Sequence, residues 1–315
     1  MTPASAASSQ VDRAGGPSLP DVLRRVGRLE VRAARVVDGF LTGRHHSPFL
    51  GRSLEFREHR EYTAGDDLRH VDWKVWGRQD RLYVKQYEEE TNLRATLLVD
   101  ASASMSFRGA QDAMSKHEYA ATAACVLAYL LVSQHDAVAC RVFSDRVLAE
   151  APLRTDRSHV ATIADLLSRS LESPGAAAKT DLASILASTA EAAARRSVVV
   201  LLSDLLAPLD RLDGGLAMLA SKGVDTLVLQ TLSDDEIDFP LQGATRFVGL
   251  EGGAQLDANP RALRGEYLAA LARHQQAIES ACARHGAEHR LIRTSEPLDA
   301  VLAALLTSRG RNRRR

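Results

Sequence analysis

The chain has little of several things that would define it early. Three cysteines occur in 315 residues, Cys125, Cys140 and Cys282, far apart and odd in number. A disulfide scaffold and a CxxC zinc or redox site are thereby excluded, and free thiols in a reducing compartment are expected. Aromatic residues are only 5% of the chain. The longest nearly apolar run, Tyr119 to Val132, holds 14 residues. A bilayer crossing needs about 20, so this run is expected to be a buried helix. Residues 1–19 contain no apolar core of the signal-peptide kind, and a cytoplasmic protein is expected. Net charge is also missing: 40 Lys and Arg face 40 Asp and Glu. That balance argues against polyanion binding by the whole protein, which needs a basic surplus.

Catalytic signatures are missing as well. There is no GxxxxGK[ST] loop, no GxGxxG opening a helix, no HExxH pair and no GxSxG elbow. P-loop hydrolysis, dinucleotide binding, zinc hydrolysis and α/β-hydrolase chemistry are therefore not expected.

What is present is a globular composition, 45% hydrophobic and 25% charged, long enough to bury a core without staples. Four regions follow from the pattern. Residues 1–19, rich in Ala, Ser, Gly and Pro, read as a disordered tail. Residues 20–92 hold a helix starting near Pro20 and then a charged segment. Its part from 51 to 90 has 10 acidic and 8 basic side chains, interleaved with large apolar groups that include Trp73 and Trp76. The tryptophans are expected in a core, and His45-His46 on an inert loop. Residues 93–307 alternate strand and helix. Residues 308–315 form a basic tail with five Arg, read as a solubilising terminus rather than a nucleic-acid arm.

Within 93–307 the near-continuous apolar runs 95–99, 136–143, 197–202 and 226–230 predict parallel strands buried on both faces. Helices are predicted at 111–134, 157–171, 182–196, 209–222, 260–285 and 297–308, with a further strand at 289–292. That order implies a doubly wound, mostly parallel α/β sheet of Rossmann type.

In such a sheet, ligands gather outside the carboxyl ends of the strands. The first run ends in Asp100-Ala101-Ser102-Ala103-Ser104, the third in Ser203-Asp204, and Lys179-Thr180-Asp181 lies in the loop region before the third. Alternation brings Asp100, Ser102 and Ser104 to one point. Carboxylates and hydroxyls are hard oxygen ligands, suited to Mg²⁺, Mn²⁺ or Ca²⁺ rather than zinc. Either Asp alone could instead cap a helix; the full set on one rim favours a metal. Apart from Lys179, no His or Lys near the motif is an obvious general acid or base.

The set Asp100-x-Ser102-x-Ser104, Thr180 and Asp204 resembles the metal-ion-dependent adhesion site of von Willebrand factor A domains. The Phe143 to Val147 turn between two strands fits that fold too. The upstream block is similar to the signature of the bacterial domain-of-unknown-function 58 family: Glu55-Phe56, Arg60-x-Tyr62, Gly65-Asp66-Asp67-x-Arg69, Val71-Asp72-Trp73 and Arg78. Leu82-x-Val84, Glu88-x-Glu90, Asp234-Asp235-Glu236, Asp238-Phe239-Pro240, Gly265 and Tyr267 extend the match from about residue 51 to 309. The resemblance implies a von Willebrand factor A-like domain with Asp100, Ser102, Ser104, Thr180 and Asp204 as metal ligands. It also implies a non-enzymatic adaptor that works with a MoxR-type AAA+ ATPase in assembling or maturing other proteins. The metal, Mg or else Mn or Ca, would capture an acidic side chain of a client.

Arg60, Asp66, Arg69, Asp72 and Arg78 suit a structural salt-bridge lattice and a partner-docking surface equally. No membrane span, nucleic-acid partner or small-molecule substrate is expected. The alternative is Mg-dependent phosphoryl transfer on the same carboxylates. Against it, the second Asp expected two residues after Asp100 is Ser102.

Overall fold

The computed structural model describes residues 55–61, 83–88, 93–172, 181–243, 245–250, 255–299 and 301; for 55–61 and 83–88 this is the backbone alone. The tail 1–19, the Pro20 helix, His45-His46, both tryptophans, Asp66, Arg69, Asp72, Arg78, Lys179, Thr180 and the basic tail lie outside them. Arg60 falls in β1 (Glu55–Glu61), which pairs antiparallel with β2 (Tyr83–Glu88).

The remaining strands are β3 (Arg94–Asp100), β4 (Ala137–Phe143), β5 (Val147–Arg154), β6 (Val198–Ser203), β7 (Asp225–Leu232), β8 (Thr245–Val248), β9 (Gln255–Ala258) and β10 (Glu288–Arg293). Six of them form one sheet in the order β10-β7-β6-β3-β4-β5. All neighbours are parallel except β5, which folds back on β4 as an antiparallel edge. The helices are α1 (Lys116–Ser133), α2 (Ser158–Glu172), α3 (Leu182–Ala192), α4 (Leu209–Ser221), α5 (Asp234–Asp238) and α6 (Pro260–Arg284).

The sheet is covered on both sides, as its continuous apolar strands require. Ala95, Leu97 and Val99 of β3 and Val198, Val200 and Leu202 of β6 pack with α1 and α2. The alternate residues Leu98, Val199 and Leu201 pack with α3, α4 and α6. Period-two side-chain alternation thus feeds two cores from one strand. The run Tyr119 to Val132 lies in α1, buried almost all round. No helix among the described residues is long and apolar enough to cross a membrane.

Two boundaries differ from expectation for local reasons. Helix α1 starts at Lys116 rather than Gln111 because Ser115 and Glu118 form a capping box there. Helix α3 stops at Ala192 rather than Arg196; Arg196 itself turns to φ 63°. The hairpin β8–β9 and the one-turn helix α5 have no counterpart among the expected elements.

The chain leaves β3 for β4 on one side and returns to β6 on the other. The carboxyl ends of β3 and β6 therefore flank the topological switch point, where doubly wound sheets open a crevice for ligands.

Candidate functional site

Asp100 ends β3 at this crevice. Its Oδ1 accepts the Ser102 backbone N–H at 2.8 Å. Its Oδ2 accepts the Ser203 hydroxyl at 2.6 Å, across from the end of β6. The Ser102 and Ser104 hydroxyls lie 3.1 Å apart. Asp204 follows Ser203, so Asp100, Ser102, Ser104 and Asp204 are brought to one place; Thr180 lies outside the described residues. Neither aspartate caps an α-helix. Asp204 Oδ1 accepts the N–H of Leu206, two residues on, and α4 is entered through Pro208.

The loop carrying Asp204 is held under strain. Leu205 has φ 56°, a left-handed conformation that costs a side-chain-bearing residue about 1–2 kcal/mol. Its carbonyl accepts His274 Nε2 of α6 at 2.8 Å, and its N–H donates to Ser203 Oγ at 3.0 Å. Gln230 Nε2 donates to the Asp204 carbonyl at 3.2 Å. These contacts fix the direction in which the Asp204 carboxylate points.

Lys116, which the sequence reading passed over, changes the electrostatics. Its Nζ donates to Asp204 Oδ2 at 2.8 Å and to Glu236 Oε1 at 2.7 Å, and the side chain is fully buried. It also sits 5.8 Å from the Phe107 ring centroid. A lysine does stand beside the carboxylates, where the sequence pointed to Lys179 alone as a candidate general acid or base. Although burial works against its charge, Asp204 and Glu236 hold its pKa above the ordinary range, so it is a fixed ammonium rather than a base. Its position in the first turn of α1 was the available signal. A cation there opposes the helix dipole and needs carboxylate partners.

Asp100 is pushed up to about 7, first by burial and then by the charge of Asp204, against the hydrogen bonds of Ser203 and Ser102. His117 is pushed down to about 4 by burial; its Nε2 lies 2.9 Å from Ser170 Oγ. Neither neutral His117 nor charged Lys116 is poised for proton transfer near neutral pH.

Among the described residues no group of three or more His, Cys, Asp or Glu is gathered to hold a metal. The donor set at the crevice is two carboxylates and two hydroxyls, all hard oxygens, which fits a magnesium-type cation completed by water. The charge count agrees. Asp100, Asp204 and Glu236 face one ammonium, and Asp100 is the carboxylate without a cation.

A loop of residues 107–115 closes one side of the crevice. Asp112 Oδ2 accepts the Gly109 N–H at 3.0 Å and the Ser233 hydroxyl at 2.6 Å, and Asp235 Oδ2 accepts the Ala110 N–H at 2.7 Å. A Cβ on Gly109 would meet Ser233 Oγ at 2.5 Å, so only glycine allows this approach.

Comparison with known proteins places the chain. The uncharacterized protein Rv1480 of Mycobacterium tuberculosis is 28% identical over 297 residues, covering 94% of this chain and 91% of that protein. The uncharacterized protein Mb1516 of Mycobacterium bovis gives the same figures. Among solved structures, the conserved hypothetical protein BatB from Bacteroides thetaiotaomicron aligns with a TM-score of 0.46 at 15% identity, covering 70% of this chain and 99% of its own. An aerotolerance-related membrane protein from Bacteroides fragilis aligns at the same TM-score and 17% identity, with the same coverage. Residues 58–277 match the family described as protein of unknown function DUF58; with well over half of its 315 residues inside that match, the chain belongs to this family.

Proposed function

We propose that the chain is a non-enzymatic, metal-dependent protein-binding adaptor of von Willebrand factor A-like architecture. Its cytoplasmic partner is a MoxR-type AAA+ ATPase, with which it assembles or matures other proteins. The observation that carries the reading is the crevice itself: Asp100 and Asp204 meet beside the Ser102 and Ser104 hydroxyls, with one carboxylate uncompensated. Asp100, Ser102, Ser104, Thr180 and Asp204 are the residues that would hold a magnesium ion, or manganese or calcium. When bound, the cation supplies an open coordination position for an acidic side chain of the partner. Ser203, Gln230 and His274 do the positioning by holding Asp100 and the Asp204 loop in register. The charged set Arg60, Asp66, Arg69, Asp72 and Arg78 is the second surface we assign to partner docking.

A phosphoryl-transfer enzyme fits less well. Ser102 stands where a second aspartate is expected two residues after Asp100, and neither neutral His117 nor charged Lys116 is poised as a general acid or base.

Magnesium titration by calorimetry on wild type and Asp100→Ala tests the site. Saturable binding in wild type and its loss in the variant is the expected result; equal binding in both, or none in either, overturns the metal reading. Retention of a MoxR-type ATPase on the immobilised chain, lost with a chelator, is the expected partner result. Retention indifferent to the chelator separates the partner from the metal.

A further inference from the structure

The acidic crevice already contains a cation of its own. Lys116 Nζ lies 2.8 Å from Asp204 Oδ2, one of the carboxylate oxygens a divalent ion would use, and 2.7 Å from Glu236 Oε1. An ammonium and a dication cannot share an oxygen at contact distance without strong repulsion. Moving a fully buried ammonium away from every carboxylate is no escape, because an unpaired buried charge is costly. Glu236 provides the way out. Its other oxygen, Oε2, accepts the Ser233 N–H at 2.9 Å in the capping box of α5, and its carbonyl accepts the Tyr267 hydroxyl at 2.8 Å. The carboxylate is thus held at a fixed point within contact of Lys116, by bonds that do not involve Asp204.

We propose that Lys116 is the resident counter-ion of the crevice and that Glu236 is its second seat. Lys116 releases Asp204 Oδ2 and pairs with Glu236 alone when the crevice takes up a divalent cation. This deepens the metal reading above and rests on it. The two side chains then set divalent affinity in opposite directions. Lys116 competes with the metal for Asp204, and Glu236 draws the competitor away. Loosening of the crevice alone would weaken metal binding from either side, so opposite signs separate the charges of the two side chains from a packing effect.

The test is magnesium titration of the full chain by calorimetry, with thermal melts in magnesium and in EDTA as a second readout. Lys116→Met removes the competitor and is expected to tighten magnesium binding on the order of tenfold, about one decade in Kd. Glu236→Gln leaves Lys116 with Asp204 as its one charged partner and is expected to weaken binding by a similar factor. Arg293→Met, which alters the exposed ion pairs of α5 instead, is expected to leave affinity unchanged.

Opposite shifts support the proposal. Shifts of the same sign, or none, with wild type still binding, overturn it and leave the metal reading standing. Silence in wild type with binding in Lys116→Met overturns the metal reading for the native chain and supports Lys116 as the occupant. Silence in all chains overturns both. Should Lys116→Met fail to fold, Glu236→Gln decides alone, with weaker binding in support and unchanged binding against.

Discussion

Helix α5 takes part in two clusters of ion pairs with nearly equal bond lengths and unlike surroundings. Toward the crevice, Lys116 meets Asp204 and Glu236 at 2.8 and 2.7 Å, with the lysine side chain 0% exposed. Toward solvent, Arg293 meets Asp234 and Asp238 at 2.7 and 2.9 Å, with the arginine side chain 36% exposed. Distance alone would rank them together. Solvation separates them: water can replace Arg293 for its partners, whereas nothing among the described residues can replace Lys116. The lesson is that the crevice is built to hold charge out of water, and the Arg293 pairs at the two ends of α5 merely decorate a surface.

The largest effect expected from this contrast is at Lys116. Breaking a buried pair by removing one partner costs about 3–5 kcal/mol. Lys116→Met in EDTA is expected to lose stability of that order in urea unfolding. A loss within about 1 kcal/mol, the scale of an exposed pair, would erase the distinction between the two clusters.

Next comes Asp100. Its folded value of about 7 stands above the ordinary 3.8. The folded state therefore holds a proton that the unfolded state has released across that window. The stabilisation is complete below about pH 4 and is lost as pH rises through 7. Each pH unit of such a difference is worth about 1.4 kcal/mol, which gives a ceiling of about 4 kcal/mol. Asp100→Asn, melted in EDTA from pH 4 to 8, is expected to be more stable than wild type at pH 8 and to lack this decline. A variant less stable than wild type at pH 8 would show that the carboxylate is compensated after all.

His117, close by, has the opposite sign. Its folded value of about 4 lies below the ordinary 6.5. Its contribution is present above pH 6.5 and is lost as pH falls through 4, by at most about 3 kcal/mol. Between pH 4 and 6.5 the two groups oppose each other, and wild-type stability from this pair is expected to be nearly flat. His117→Gln should unmask the Asp100 slope, with stability rising as pH falls; Asp100→Asn should unmask the reverse. If both variants keep the wild-type profile, the two groups do not titrate as their burial dictates.

Part of this crevice could be read before folding, and the reason is positional. Asp100, Ser102, Ser104 and Asp204 directly follow apolar runs, and the carboxyl end of a buried parallel strand is where a doubly wound sheet exposes its chemistry. The central strands and major helices were visible for a related reason, because burial on two faces leaves continuous apolar stretches. Lys116 and Glu236 were hidden because their pairings span 88 and 120 residues. The unfavourable place of a lysine in a first helical turn hinted at Lys116, and Glu236 was visible only as part of the family-like segment Asp234-Asp235-Glu236. The hairpin β8–β9 was hidden for the opposite cause. Its strands are exposed or half-buried, with Val248 and Leu256 turned to solvent, so no core imposes an alternation on the sequence.

The smallest effect belongs to the solvent-exposed pairs of α5. Arg293 donates to both oxygens of Asp238 and to Asp234, a fork that looks strong by geometry. Screening by water and ions opposes it: at 1 M salt the Debye length shrinks to about 3 Å. Arg293→Met is therefore expected to lower the melting temperature by no more than about 2–4 °C at low salt, and by nothing measurable at 1 M sodium chloride. Lys116→Met should show the same deficit at both salt concentrations, because ions do not reach its pairs. Equal salt sensitivity in the two variants would mean that the crevice is wetter than its burial implies, and that the two clusters differ in degree and not in kind.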